Sequence, residues 1–289
     1  MKIEKVGIIG QGFVGTAVRE GLQNYFTILT NDINGNCSNT LSELVERCRI
    51  IFLCLPTPME SDGTCHVGIL ESVLDQIEPI CNTKDYYGNE QRILIIKSTI
   101  PPGTTKRFAE TYKNVKFIFN PEFLTEANAI EDYKNQTRII LGGDNNITAK
   151  VKPLFTKAFP KVRIIKTDST YAEMVKYVTN SFLATKVSFA NEMYEICKEL
   201  NIDYDKVVEY AMCDERLGYS HWSVPGPDGD FGYGGHCFPK DVKALIRLAK
   251  DLGVSPRILT ATDDKNNVIR KNRDWEKMEG RAIINKNIK

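Results

Sequence analysis

The sequence lacks a long apolar run, a strong net charge and a recognisable targeting segment. No stretch of about 18 consecutive apolar residues occurs, so no membrane-spanning helix is predicted. The formal net charge is +1, which argues against a strongly basic surface for nucleic acid or an anionic membrane. The first residues, MKIEKVGIIGQG, are too short and too interrupted for a signal peptide. These absences predict a cytoplasmic globular protein with no nucleic-acid or membrane partner.

Histidine is scarce, and the cysteines are not spaced for metal binding. The chain has 3 histidines and 8 cysteines, with no Cys-x-x-Cys or His-x-x-x-His spacing, so we predict no metal site. An even number of cysteines favours a disulfide framework in short secreted chains. This chain has 289 residues, 42% of them hydrophobic, and can form a core without disulfides. We expect most of the thiols to be packing residues, and Cys54 in IIFLCLP is the clearest example.

Short apolar runs alternate with amphipathic stretches through the first half of the chain. The runs are KVGIIG, FTILTND, IIFLCLP, RILIIKST, KFIFNP and RIILGG. The stretches TAVREGLQNY, TLSELVERCR and VGILESVLDQIEPIC separate the first four runs and have helical patterns. Near-continuous apolar strands that alternate with helices predict an α/β fold with a parallel sheet covered on both faces. Right-handed crossovers would make this sheet doubly wound.

The pattern changes near Ser169. From there to Leu200 the chain has apolar spacing near 3.6 residues without proline or glycine, which predicts one long helix. Further helices are predicted in YDKVVEYAMC, KDVKALIRLAKDLG and ILTATDDKNNVIRKNRDW. The sequence therefore predicts a Rossmann-like domain over residues 1–168 and an all-helical domain over residues 169–289.

The stretch GIIGQGFVGTAV places Gly10, Gly12 and Gly15 in the G-x-G-x-x-G pattern, between the first strand and the first helix. Gly10 would permit the tight turn, Gly12 the approach of a pyrophosphate, and Gly15 close packing of the helix on the strand. Asp32 ends the second strand, where a carboxylate receives ribose hydroxyls and repels a 2′-phosphate. This arrangement favours NAD over NADP. The alternatives are a glycine turn without a ligand and an aspartate in a surface turn.

Five stretches in this order resemble the UDP-glucose/GDP-mannose dehydrogenases. They are GIIGQGFVGTAV, LCLPTPMESDG, IKSTIPPGTT, FNPEFLTEANAI and FGYGGHCFPKD, and MVKYVTNSFLATKVSFANEM resembles the family's central helix. The resemblance implies NAD-dependent oxidation of the 6-hydroxymethyl group of a nucleotide sugar to a carboxylate. UDP-glucose is the commonest substrate in the family, and GDP-mannose and UDP-N-acetylmannosamine are others. A role in polysaccharide biosynthesis is implied in the same way.

The resemblance assigns Cys237 the role of nucleophile. Its thiolate would attack the aldehyde formed in the first oxidation, giving a thiohemiacetal, and the second oxidation would leave a thioester for water to hydrolyse. From the residues alone, a packed structural cysteine in a tight turn is the alternative.

Other catalytic positions follow from the same resemblance. Lys176 and Asn180 match the residues that stabilise the oxyanion of the tetrahedral intermediates. Asp241 matches an aspartate that orders water or assists proton transfer, and Glu122 matches the glutamate tied to thioester hydrolysis. Thr99 matches a threonine near the reacting centre.

Each of these positions has a structural alternative. Lys176 and Asn180 could form the solvated face of a long helix. Glu122 and Glu126 could be carboxylates at a helix start, with Glu126 one turn after Glu122 if the stretch is helical. Asp241 could be the N-cap of the helix KDVKALIRLAK.

The resemblance also implies binding contacts. Cofactor contacts fall on Gly10, Gly12, Phe13, Val14, Gly15, Asp32, Pro56, Thr57, Ser98, Thr99, Glu126 and Lys240. Substrate contacts fall on Glu122, Phe123, Leu124, Lys176, Asn180, Arg216, Tyr233, Gly234 and Gly235. Arg216 matches an arginine that, in the family, can reach the substrate of a neighbouring subunit. His221 and His236 are expected to be structural residues or loop contacts.

Two further expectations follow from the family. The long helix forms the dimer core of its members, so we expect a homodimer. Family members usually continue into a third domain that grips the nucleotide, and this sequence ends at Lys289, where that domain would begin. The chain could be a compact member, could need a partner chain, or could be a non-catalytic remnant.

Hydroxyacid dehydrogenases related to 6-phosphogluconate dehydrogenase are a rival class. They share a Rossmann domain followed by a long helix and use a helix lysine as base. They need no cysteine, so GGHCFPKD and NPEFLTEA discriminate against them.

Overall fold

A computed structural model describes residues 3–35, 37–81 and 91–284. The chain forms two compact units. The first unit comprises residues 1–57 and 67–176, and the second comprises residues 58–66 and 177–289. The division falls within the long helix, after Lys176, and the short segment 58–66 belongs to the second unit. The boundary predicted near residue 168 coincides with the start of that helix.

The first unit contains one sheet. Within the described residues it has seven strands in the order β2-β1-β3-β4-β5-β6-β7. The strands are β1 Lys5–Ile9, β2 Thr27–Asn31, β3 Ile50–Leu53, β4 Arg92–Ile96, β5 Val115–Phe119, β6 Arg138–Gly142 and β7 Arg163–Thr167. The pairs are parallel except β5 with β6, so the sheet is mostly rather than wholly parallel. The sequence patterns did not identify β7, because this strand is half-exposed and carries no continuous apolar run.

Helices cover both faces of the sheet, as predicted for a doubly wound fold. In β3, Ile50 and Phe52 belong to one core cluster, and Ile51 and Leu53 belong to the other. Successive side chains of a strand point to opposite faces, so an unbroken apolar strand supplies both cores. The helices of this unit are α1 Phe13–Leu22, α2 Leu41–Arg47, α3 Gly68–Cys81, α4 Thr104–Thr111, α5 Ala129–Lys134 and α6 Asn145–Ala158, with a 3₁₀ helix at Glu126–Asn128.

The strand order creates a switch point at the carboxyl ends of β1 and β3. The chain leaves β1 toward β2 on one side and continues into β3 on the other side. Doubly wound sheets bind ligands in the crevice at such a point. The turn at Gly10 follows β1 directly, and Cys54 follows β3.

Helices dominate the second unit. The 31-residue helix α7 Ser169–Glu199 begins in the first unit and continues into the second, in agreement with the predicted long helix. The other helices are α8 Tyr204–Ala211, α9 Phe238–Asp251 and α10 Arg257–Ile269, with 3₁₀ helices at Glu215–Leu217 and Asp274–Lys277. Segment 58–66 is tied to this unit by a hydrogen bond of 2.8 Å from the Met59 N–H to the Ala282 carbonyl. No helix in the described parts of the chain is long and apolar enough to cross a membrane.

Candidate active site

The turn after β1 requires glycine at two positions. Gly10 has a φ of +90°, and a Cβ there would lie 2.3 Å from the Cys54 carbonyl oxygen. A Cβ on Gly15 would lie 1.9 Å from the Gly10 carbonyl oxygen. The first helix therefore packs directly against the turn that precedes it, and any larger residue would force the two apart.

Gly12 has a different environment. It is the N-cap residue of α1, and a Cβ at this position would meet no atom within 4 Å. Glycine offers no side chain to cap the helix, and the N–H groups at the start of a helix favour the binding of an anion. Phe13 and Val14 begin the helix and pack against the core below. The open space at Gly12, together with the helix start, fits the pyrophosphate of a dinucleotide.

Asp32 lies at the same edge of the sheet. It directly follows β2, whose last residue is in register with Ile9 of β1. Its carboxylate accepts hydrogen bonds from the Gln11 N–H at 2.6 Å and from the Asn34 N–H at 2.7 Å. Asp32 is therefore held beside the glycine turn, at the position where a carboxylate binds ribose hydroxyls in dinucleotide-binding folds.

We expect Gly15→Ala and Gly12→Ala to separate folding from cofactor binding. The Gly15 variant must displace the Gly10 turn, which should destabilise the protein by about 1–3 kcal/mol. The free energy of unfolding of the Gly12 variant should lie within about 0.5 kcal/mol of the wild-type value. Its affinity for NAD should fall at least about tenfold. Thermal unfolding and titration with NAD would measure both effects. Unchanged NAD affinity in Gly12→Ala would contradict the assignment.

The ends of β3 and β4 bring three of the predicted cofactor contacts together. The Thr57 hydroxyl donates to the Thr99 carbonyl at 2.7 Å, and the Ser98 hydroxyl accepts from the Leu55 N–H at 3.0 Å. Thr57 and Ser98 are buried, whereas Pro56 is exposed. These hydrogen bonds hold the loops after the two strands side by side.

A buried ion pair joins Glu122 to Lys176 in the first unit. The Lys176 Nζ donates to Glu122 Oε1 and to the Glu122 carbonyl oxygen, both at 2.7 Å. The side chains are only 3% and 6% exposed for lysine and glutamate. The Leu124 N–H also donates to Glu122 Oε2, at 2.8 Å. A lysine so completely enclosed does not belong to a solvated helix face.

The charges around Glu122 determine its ionisation. Burial opposes the charged form, but the Lys176 ammonium and its hydrogen bond, the Leu124 N–H and the more distant Lys97 together hold the pKa of Glu122 below its ordinary value. Glu122 is therefore a carboxylate at neutral pH.

Sequence reasoning missed Lys97. Its ammonium is buried and donates to Asn120 Oδ1 at 3.1 Å, so it holds the loop that leads to Glu122. Burial lowers the pKa of Lys97 to about 8, opposed by the attraction of Glu122. The available signal was a lysine directly after the wholly buried strand RILII, at the carboxyl end where ligands bind.

The stretch after Glu122 is not helical. Residues 121–125 have no regular structure, and Glu126 begins the short 3₁₀ helix. The condition under which Glu126 would lie one helical turn after Glu122 is therefore not met, and the Leu124 N–H donates to the Glu122 side chain instead. Glu126 is exposed, whereas Glu122 is buried. The Arg138 guanidinium lies over the ring of Phe123, with its Cζ 4.4 Å from the ring centroid.

In the second unit, Cys237 is the N-cap residue of α9, and its side chain is half-buried. Its carbonyl accepts the Asp241 N–H at 2.9 Å, and Pro239 lies in the first turn. A thiol at a helix N-terminus lies at the positive end of the helix dipole. The suggestion that Asp241 caps this helix is wrong, because the helix begins three residues earlier, at Phe238.

Asp241 is enclosed by two polar partners. Its Oδ2 accepts from Asn180 Nδ2 at 2.6 Å, and its Oδ1 pairs with Lys240 Nζ at 2.6 Å. All three side chains are buried. Burial opposes the charge of Lys240, but Asp241 outweighs it and raises the pKa of Lys240 above its ordinary value. Asn180 is thus fixed by α9 rather than exposed on α7.

The glycines before Cys237 adopt constrained conformations. Gly235 has a φ of +70°, and its N–H donates to Asp274. A Cβ on Gly234 would lie 2.3 Å from the Arg270 guanidinium. Tyr233 is buried, and its backbone N–H donates a hydrogen bond to Asn266 Oδ1.

The remaining predicted contacts lie elsewhere in this unit. The Arg216 side chain is 88% exposed and pairs with Asp214. His221 packs against the Phe238 ring, with centroids 5.7 Å apart. Partial desolvation, with a further contribution from Lys186, lowers the pKa of His221. A structural role for this histidine stays a prediction.

Comparison with known proteins places both units in one family. Residues 16–158 match the NAD-binding domain of the UDP-glucose/GDP-mannose dehydrogenase family, and residues 170–268 match its central domain. The UDP-glucose 6-dehydrogenase AglM of Haloferax volcanii is 29% identical over 91% of this chain and 69% of its own length. The UDP-glucose 6-dehydrogenase of Rickettsia bellii is 31% identical over 88% of this chain and 56% of its own length.

A solved structure is also similar. The UDP-glucose dehydrogenase of Pyrobaculum islandicum superposes with a TM-score of 0.83 at 26% identity, covering 92% of this chain and 68% of that one. The chain thus spans about half to two thirds of the length of these relatives. Its first unit is the family's NAD-binding domain, and its glycine turn and Asp32 fit that cofactor. The chain belongs to the UDP-glucose/GDP-mannose dehydrogenase family.

Proposed function

We propose that this chain catalyses the NAD-dependent, four-electron oxidation of the 6-hydroxymethyl group of a nucleotide sugar to a carboxylate, with UDP-glucose as the preferred substrate. The observation that carries the proposal is Cys237 at the N-cap of α9, one turn before a buried aspartate held by Asn180 and Lys240. The relatives named UDP-glucose 6-dehydrogenase support the choice of substrate.

The first unit would hold the cofactor. The start of α1 at Gly12 would bind the pyrophosphate, and Asp32 the ribose hydroxyls. Thr57, Ser98 and Thr99, which follow β3 and β4, would contact the cofactor. NAD, when bound, accepts a hydride from the sugar carbon in each of the two oxidations.

Cys237 would hold the intermediate between the two oxidations. Its thiolate forms a carbon–sulfur bond to the aldehyde, and the carbonyl electron pair becomes an oxyanion that takes a proton. In the second oxidation this thiohemiacetal loses a hydride from carbon and the proton of its hydroxyl group, which leaves a thioester. Attack of water then breaks the carbon–sulfur bond, and the thiolate leaves with that electron pair. A thiol suits both steps, because it is a good nucleophile and a good leaving group.

The buried charges would serve the tetrahedral intermediates. The Lys176 ammonium would stabilise the oxyanion, and Asn180 would donate a hydrogen bond to it. Glu122 would accept a proton from the attacking water, since its lowered pKa keeps it ionised. Asp241 would orient Asn180 through their 2.6 Å hydrogen bond and assist proton transfer.

The test is the yield of NADH with purified protein and a panel of UDP-glucose, GDP-mannose and UDP-N-acetylmannosamine. We expect two NADH for each UDP-glucose consumed, and little reaction with NADP. One NADH per substrate would instead indicate a two-electron hydroxyacid-type dehydrogenase. No turnover with any sugar, despite measurable NAD binding, would reject the catalytic proposal and favour a non-catalytic, NAD-binding role.

We also propose that α7 mediates a homodimer. Val178, Phe182, Phe189 and Ile196 are exposed and spaced at four and seven residues, so they form one apolar stripe. Light scattering should give twice the chain mass of 32.7 kDa. Replacing Phe182 and Phe189 with glutamate should give a monomer. A wild-type monomer at working concentration would contradict the proposal.

A further inference from the structure

Side chains from other elements hold the backbone of the loop directly before Cys237. The Gly232 N–H donates to Asn191 Oδ1 at 3.2 Å. The Tyr233 N–H donates to Asn266 Oδ1 at 2.7 Å, and Asn266 Nδ2 donates to the Tyr233 carbonyl at 3.0 Å. Both asparagines are buried. Because these hydrogen bonds are made to the backbone, they hold the path of the loop directly and use none of its own side chains.

Asp274 controls the last turn of this loop. The Gly235 N–H lies 3.1 Å from each of the two carboxylate oxygens of Asp274. Gly235 has a φ of +70°, a conformation that glycine adopts without strain. Only His236 separates this residue from Cys237.

Arg270 fills the space beneath the loop. Its side chain is 1% exposed and pairs with Asp228 at 2.5 Å, Asp230 at 3.5 Å and Asp274 at 3.8 Å. The atoms of Arg270 and Asp274 occupy the space that a Cβ on Gly234 would need. A buried guanidinium among three carboxylates has little freedom to move.

Asn266, Arg270 and Asp274 follow one another at intervals of four residues along the end of α10 and the segment after it. We propose that these three are positioning residues that set the direction in which the Cys237 thiol leaves the start of α9. This inference rests on the proposed function of Cys237 and adds three residues that do not take part in bond making. A displacement of about 1 Å at the reacting atom can lower a rate about 10²-fold.

Asp274 offers a test that separates its contact from its charge. Asp274→Ala and Asp274→Asn both remove the charge, but the asparagine Oδ1 still accepts the Gly235 N–H. We expect kcat to fall about 10–100-fold in the alanine variant, with KM nearly unchanged. In the asparagine variant, kcat should return most of the way to the wild-type value. The control is Glu276→Ala, in the same 3₁₀ helix but exposed, which should behave as wild type.

The thiol itself gives a readout that needs no substrate. The alkylation rate of Cys237 by iodoacetamide, followed on its peptide by mass spectrometry, should differ about tenfold between Asp274→Ala and Asp274→Asn. If alkylation differs but no variant turns over a sugar, the positioning inference stands and the proposed function fails. Equal alkylation rates and equal kcat values in the two Asp274 variants would overturn the inference, because the hydrogen bond to the Gly235 N–H would then have no effect on the thiol.

Discussion

Cys237→Ala should reduce the steady formation of the sugar acid at least about 10³-fold. The variant keeps the glycine turn, Asp32 and the buried ion pairs, so NAD binding and folding should be preserved. It loses the atom that forms the carbon–sulfur bond, and the aldehyde is left without a covalent partner for the second oxidation. NADH formation with UDP-glucose, beside titration with NAD, would measure the two properties separately.

The matched control is Cys213→Ala. Cys213 is exposed, like Cys37, and lies just after α8. This change should leave turnover close to wild type. An acid-quenched wild-type reaction should also show the sugar covalently attached to the Cys237 peptide, and the alanine variant should show none. Turnover in Cys237→Ala equal to that of wild type would exclude a covalent mechanism at this residue.

Lys176→Met should destabilise the protein by about 3–5 kcal/mol. The change removes the cation that neutralises Glu122 and leaves a buried carboxylate to be accommodated alone. The double variant Lys176→Met with Glu122→Gln should recover most of this stability, because no uncompensated charge remains. Both variants should lack activity, so stability is the quantity that separates them. Denaturant unfolding of the wild type, the two single variants and the double variant completes the cycle.

An exposed ion pair gives the control. Lys106 Nζ lies 3.0 Å from Asp168 Oδ2, and both side chains are about half-exposed. Lys106→Met should cost no more than about 1 kcal/mol. If Lys176→Met lowered the free energy of unfolding by no more than this, the Glu122–Lys176 pair would not be a buried ion pair.

The pH dependence of stability follows from the same pair. The pKa of Glu122 is lowered in the folded protein, so its ionisation contributes stability above the unfolded carboxyl pKa of about 4.3 and loses it as the pH falls. Wild-type stability should therefore drop more steeply below about pH 4 than that of Glu122→Gln. The same unfolding experiments, repeated at acid pH, would check this sign.

The buried ion pair also changes the interpretation of the helix lysine. From the sequence, Lys176 and Asn180 could equally be the solvated face of a long helix. The structure encloses both, one against Glu122 and the other against Asp241. Burying charged and polar side chains is unfavourable unless they are paired, so residues kept in this way are candidates for function rather than solubility.

The sequence by itself determined the α/β class, the long helix and the glycine turn. These features repeat with a short period or occupy a few adjacent residues: unbroken apolar strands, 3.6-residue spacing from Ser169, and three glycines within six positions. The physical reason is that the repeat of a helix or strand places residues of fixed spacing on one face. Burial of that face therefore appears as a hydrophobic pattern within a short stretch of sequence. The half-exposed edge strand β7 lacks such a pattern and was not identified.

Only the tertiary structure decided which side chains meet. Glu122 and Lys176 are 54 residues apart, and Asn180 and Asp241 are 61 residues apart. Lys97 holds the loop before Glu122 from a neighbouring strand, and Asp274 holds the Gly235 turn from a segment beyond α10. Such contacts depend on strand order and on how the helices pack, which no short-range periodicity contains. They also set the burial, and with it the ionisation of Glu122 and Lys97, because desolvation and charge pairing arise only when distant residues are enclosed together.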